Sequence, residues 1–283
     1  MSSLSGELVA TSSPLAQPGT TSPDDRAGSP DHLLPPLPSY PLFLPVTANG
    51  CAFHNATQHR CSIHEAFGHD ALPVACQQFP RVSVLEPRGA SVTLSCFCPT
   101  ALAMLDAFDG PITIVNQPSA IADNAEGLDA RTSLPPALRP DCLLDWESWW
   151  EFERLAVDKF NSDETLREIL ARLSAIVENV RTWRPGEGEL IDRVHAAFAS
   201  GGVGNGSALR KSTDSPAPRR LLACHAFASW TAHLGAGLRT WLRSLETVVF
   251  LLDEGWTIRD VDLWLRHFAD PRRLARTWSA AED

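Results

Sequence analysis

The 283-residue chain is 44% hydrophobic and carries nine tryptophans, enough for one large domain or two modest ones with a sizeable core. Its net charge of −10, with no basic run or RNA-binding aromatic signature, excludes a general nucleic-acid binder. Met1 to Gly19 lacks the basic start and continuous apolar stretch of a signal peptide. The apolar run Val248 to Leu252 is far too short to cross a bilayer, so a cytoplasmic protein without a membrane span is expected.

Residues 1–40 are rich in Ser, Pro, Gly and Asp and include Leu34-Pro35-Pro36-Leu37-Pro38, a composition that predicts a disordered, partly extended arm. Residues 41–110 form the second region. Ser62 to Phe67 reads as a short helix stopped by Gly68. Arg81 to Leu85 and Ser91 to Leu94 alternate apolar and polar residues around Pro87-Arg88-Gly89, which predicts a β-hairpin. Thr100 to Phe108 reads as a helix ended by Gly110-Pro111, Ile112 to Val115 as a short strand, and 116–141 as a long proline-containing connection.

The third region, 111–283, turns helical from Asp145, where Trp146, Trp150, Glu153 and Val157 share one face and Trp149 lies beside them. A second helix is predicted from Asn161, with Glu164 completing a capping box. Its core stripe is Leu166, Ile169, Leu170, Leu173, Ile176, Val177 and Val180, and Pro185-Gly186 ends it. Glu189 to Ala199 follows as a third helix. A Gly/Ser/Pro linker is expected over 200–218, then helices at 219–229 and 233–253, a stop at Gly255, and short helices at 257–268 and 271–281. The predicted fold class is mainly α: an irregular cysteine-rich segment with a short β-hairpin, followed by a helical bundle.

Five of the seven cysteines fall between 51 and 98, as Cys51-x9-Cys61-x14-Cys76-x19-Cys96-x-Cys98. An odd number in a reducing compartment argues against disulfides and for metal binding or burial. The spacing is not a paired zinc ribbon. Still, the thiols lie beside turn-forming or polar residues, the segment is too short to bury five of them, and Pro99 follows Cys98 as Pro follows the last ligand of some cluster runs. Thiolates suit iron–sulfur clusters or zinc. Cys51, Cys61, Cys76 and either Cys96 or Cys98 supply four ligands, and His54, His59, His64 or His69 could complete a zinc site instead. Cys142 and Cys224 stand apart and read as buried thiols.

Three ordered motifs carry a resemblance. Cys51-Ala52-Phe53 with Cys61-Ser62-Ile63-His64-Glu65 resembles a C-x-F…C-x-I-H step. Leu72-Pro73-Val74-Ala75-Cys76-Gln77-Gln78-Phe79-Pro80-Arg81 is similar to L-P-x-x-C-x-x-F-P-R. Leu94-Ser95-Cys96-Phe97-Cys98-Pro99-Thr100-Ala101 is similar to L-S-C-P-E-A. Together they resemble the YkgJ-type cysteine-cluster family, which includes the flagellin lysine-N-methylases. The likeness covers residues 50–103. It implies a metal-bound cysteine cluster, iron–sulfur in the methylase branch, with S-adenosylmethionine as methyl donor and a protein lysine as substrate. By motif the implied ligands are Cys51, Cys61, Cys76 and Cys98, with Cys98 preferred over Cys96 because Cys98-Pro99 matches the family's Cys-Pro. The family carries a further cysteine group before the first motif. This chain has no cysteine before Cys51, which a truncated or misassigned start, or loss of those thiols, would explain.

Other motifs carry less. Gly202-Val203-Gly204-Asn205-Gly206 lacks the strand-then-helix setting of a nucleotide loop and reads as linker. Trp146, Trp149 and Trp150, flanked by Asp145, Glu147 and Glu151, could cage a cationic amine, but Trp at helical spacing is more often core. Two alternatives to a methylase remain: a non-catalytic metal-stapled scaffold that presents the helical region to a partner, and an electron-transfer iron–sulfur protein.

Overall fold

The computed structural model describes residues 10–11, 46–47, 50–55, 57–58, 60–117, 125–200, 216–234 and 237–268. Most of the 1–40 arm, His59, the Gly202–Gly206 motif and the helix expected at 271–281 lie outside the described residues. The chain divides into two compact units, Ala16–Gln77 and a larger one made of Met1–Leu15 with Gln78–Asp283. The division falls inside the predicted cysteine-rich region, so the hairpin, Cys96 and Cys98 belong to the larger unit.

In the larger unit, strand β1 (Ala10–Thr11) pairs with the hairpin and with β8 (Ile114–Val115). The hairpin strands β6 (Arg81–Glu86) and β7 (Gly89–Leu94) pair from Arg81↔Leu94 to Glu86↔Gly89, which leaves Pro87 and Arg88 as the turn. Strand β9 (Leu128–Asp129) adds in parallel to β6, giving the order β8-β1-β7-β6-β9. Both hairpin faces are covered. Val84 joins the main core, whereas Leu85, Ala90 and Val92 form a small separate cluster. Polar Ser83, Ser91 and Thr93 are buried with them, so the alternation does not mark an in-and-out strand. The connection predicted over 116–141 contains β9 and the β10 (Ala137–Arg139) and β11 (Cys142–Leu143) pair.

The helices are α3 (Pro99–Ala107), α4 (Trp146–Lys159), α5 (Leu166–Arg181), α6 (Leu190–Ala199), α7 (Pro216–Ala226), α8 (Trp230–Leu234), α9 (Leu238–Asp253) and α10 (Ile258–Phe268). The mainly helical fold class is therefore as expected. Helix α5 buries the full predicted stripe from Leu166 to Val180 and packs on α6 and α9. Helix α4 packs on α6 and α7, and α7 on α9 and α3. Trp149, Phe152 and Trp241 sit fully buried at the centre, with the Phe152 and Trp241 rings edge-on at 5.1 Å.

Two boundaries differ from expectation for identifiable reasons. The capping box of α5 is Thr165 with Glu168, one turn later than Asn161 with Glu164. Asn161 is committed elsewhere: its amide accepts from Ile112 N–H at 2.9 Å and donates to Ile112 O at 2.7 Å. The helix expected over 233–253 breaks at Gly237 (φ 71°), where a Cβ would lie 1.6 Å from the Ala137 carbonyl oxygen. Only glycine tolerates both that backbone and that approach. In addition, Pro216 and Pro218, expected in the linker, open α7, where missing N–H groups cost nothing.

Candidate metal centre

Unit Ala16–Gln77 is built from short pieces. Strands β2 (Val46–Thr47) and β3 (Gly50–Cys51) pair, as do β4 (His54–Asn55) and β5 (Arg60–Cys61). Helix α1 (Ser62–Phe67), a 3-10 turn and α2 (Val74–Gln78) follow. Between 51 and 77 no described residue is buried. Phe67, the largest apolar side chain of α1, is 75% exposed.

This unit carries three of the expected ligands on separate short elements. Cys51 ends β3, Cys61 ends β5 at the start of α1, and Cys76 lies in α2. The Cys76 thiol is raised above the usual range by partial burial, and Cys51 and Cys61 push it the same way. Even so, among the described residues no three His, Cys, Asp or Glu side chains stand in a group able to hold a metal ion. His54 faces Cys61 across the β4–β5 pair. His64 and His69 are exposed, with rings edge-on at 6.3 Å.

The remaining cysteines lie in the larger unit. Cys96 is buried, and its thiol is pushed far up by burial, then by the Asp262 carboxylate and Cys224. Cys98 is half-buried and precedes Pro99 as the N-cap of α3. Of the two alternatives, Cys96 is the more enclosed. Cys142 and Cys224 are half-buried rather than fully enclosed, and burial pushes the Cys224 thiol up to about 11.

No protein-family model, curated protein or solved structure matches the chain.

Two buried polar networks in the larger unit carry no recognisable motif. In the first, Arg88 from the hairpin turn bridges Glu86 Oε2 (2.8 Å) and Glu153 Oε2 (2.6 Å). Ser91 Oγ and Trp149 Nε1 donate to Glu86, and Ala228 N–H donates to Glu153. His233 Nε2 stands 3.3 Å from Glu86 Oε1 without hydrogen-bond alignment. One guanidinium thus serves two enclosed carboxylates. Burial raises Glu153 to about 8 against the pull of Arg88. Burial works on Glu86 too, but His233 and Arg88 hold it below its ordinary value. The tryptophan group is part of this packing rather than an open cage. Trp149 is fully buried, Trp146 and Trp150 stack at 5.8 Å, and the Arg88 guanidinium already lies 5.3 Å over the Trp150 ring.

The second network centres on Asp262 of α10, which the sequence gave no reason to single out. Its carboxylate is fully buried and accepts from Ser95 Oγ, Cys96 N–H and Arg266 Nε, each at 2.8 Å, and lies 3.0 Å from His225 Nε2. Burial opposes its ionisation, but Arg266 and His225 hold the carboxyl well below its usual range. Its only sequence signals are the i,i+4 spacing to Arg266 and a charged residue on the apolar side of α10.

Among the described residues no helix is long and apolar enough to cross a membrane.

Proposed function

We propose that this chain is a metalloprotein of the cysteine-cluster type, with Cys51, Cys61 and Cys76 as ligands of an iron–sulfur cluster. Zinc is the alternative occupant. The observation that carries the reading is that Cys51 and Cys61 both bear on the Cys76 thiol in a unit that buries no described residue between 51 and 77. A unit of this size cannot offset its chain entropy by burial and needs a cross-link such as a structural metal. Bound there, a cluster would supply redox or Lewis-acid chemistry, whereas zinc has no redox chemistry of its own.

The finer reading is methyl transfer from S-adenosylmethionine to a protein lysine, and it rests on the three ordered motifs. That no described residue between 51 and 77 is buried favours a second reading, in which the metal is a staple and the chain a non-catalytic scaffold. Metal analysis and the visible spectrum of anaerobically purified protein test the common claim. Stoichiometric iron with thiolate-to-iron charge-transfer absorption, or stoichiometric zinc without colour, is the expected result. Full-length protein that retains no metal overturns it. Incubating metallated protein with methyl-labelled S-adenosylmethionine and cell extract then separates enzyme from scaffold by whether lysine acquires label.

A further inference from the structure

Within the larger unit, the seam where α5 packs on α9 opens into a cleft of about 550 Å3 beside the last turns of α9. Glu246, Val249, Phe250 and Asp253 recur at i, i+3, i+4 and i+7 and so share one face of α9, while Arg167 and Leu170 stand one turn apart on α5. Leu170 and Val249 are buried and line the cleft with apolar surface. Phe250, 54% exposed, adds an accessible aromatic ring. The volume falls within the range of about 300–1,000 Å3 typical of small-molecule sites.

The charges lining this cleft do not balance. Arg167 Nη2 stands 2.6 Å from Asp253 Oδ2, so these two groups neutralise each other. The Glu246 and Glu254 carboxylates also line the cleft, and neither has a hydrogen bond or ion pair with a described residue. The last turn of α9 supplies no basic residue. Glu246 is half-buried; burial pushes its carboxyl up, and Arg243, one turn back, pulls the other way without bonding to it. A partly desolvated carboxylate without a partner is unfavourable, and the Glu246 side chain caps no helix and fastens no backbone group. The complement to this lining is a cation with an apolar body. A metal ion does not suit it, because among the described residues no three acidic, His or Cys side chains form a group able to hold one.

We propose that the α5–α9 cleft binds a small organic amine in its ammonium form, with the ammonium at Glu246 and Glu254 and the hydrocarbon body against Leu170, Val249 and Phe250. The carboxylates gain a charge-assisted hydrogen-bond donor, and the Phe250 ring adds a cation–π surface. This site is independent of the metal reading, since every residue in it belongs to α5, α9 or the C-cap of α9.

Phenethylammonium is the probe, titrated calorimetrically into full-length protein beside neutral phenethyl alcohol and anionic phenylacetate. One phenethylammonium per chain is expected. Glu246→Gln should weaken it about tenfold or more, since a hydrogen bond to a charged group is lost. Glu254→Gln and Phe250→Ala should weaken it less, and the alcohol and phenylacetate should bind wild type at least about tenfold more weakly than the amine. Thermal midpoints establish that each variant is folded; Glu254 and Phe250 are exposed, so E254Q and F250A serve if E246Q does not fold. Absence of binding to wild type, or alcohol binding as tight as the amine, overturns the proposal. Wild-type affinity in folded E246Q, or in E254Q and F250A where E246Q does not fold, overturns it as well. Calcium that displaces the probe makes the cleft a metal site and overturns it too.

Discussion

Cysteine is used in opposite ways in the two units. Cys96 is a core residue of the larger unit, and burial suppresses ionisation both there and at the half-buried Cys224. Cys51 and Cys76 are exposed and Cys61 is half-buried, in a unit whose described residues between 51 and 77 form no core. The larger unit has the opposite economy: α5 and α9 bury continuous stripes, and Trp149 and Trp241 are fully enclosed. Burial at about 25 cal/mol per Å2 of apolar surface sustains the helices, while strands of two residues and helices of five or six are too short to hold themselves together. The contrast shows where a metal would be a condition of folding and where it would be an addition.

The largest expected effect follows from that contrast. Chelating the metal should raise amide hydrogen exchange throughout 46–77 while α4, α5 and α9 stay protected, since structural metal sites contribute on the order of 10 kcal/mol of apparent folding energy. Equal exchange in 46–77 with and without chelator would remove the distinction between the units.

Next in size is the Arg88 bridge. Arg88→Met leaves Glu86 and Glu153 without their shared cation and should destabilise the larger unit by about 3–5 kcal/mol, read as a lower denaturation midpoint with metal content unchanged. The pH dependence sharpens this. Glu153 titrates near 8 in the fold against 4.5 unfolded, so the folded state binds the extra proton across that window. Its contribution is complete below pH 4.5 and is lost as pH rises through about 8. Glu153→Gln should flatten this loss, seen as a smaller difference between midpoints at pH 5 and pH 9 than in wild type. An unchanged difference would mean that Glu153 does not carry the proton.

The smallest effect tests local rather than long-range stabilisation. Asp145 caps α4 by accepting from Ser148 N–H at 2.8 Å and Ser148 Oγ at 2.7 Å. Asp145→Ala should cost about 1 kcal/mol, visible by equilibrium denaturation of the larger unit and without effect on metal content. A loss several times larger would make Asp145 part of the tertiary network.

Much of the larger unit is legible in the chain because its signals are periodic and local. The α5 stripe, the helical start at Asp145, the hairpin at 81–94 and the stop at Gly255 each rest on residues within a turn or two of one another. The concentration of Cys51, Cys61 and Cys76 in one stretch is likewise plain in the sequence. Distant partners decided the rest. Asn161 left the α5 cap because Ile112 occupies its amide, and the long C-terminal helix broke because the Ala137 carbonyl allows no side chain at Gly237. Glu86 with Glu153, and Asp262 with Ser95, meet across separations that no local pattern encodes. A buried charge is admissible only where the fold supplies its partners, and those partners exist only once the fold has formed.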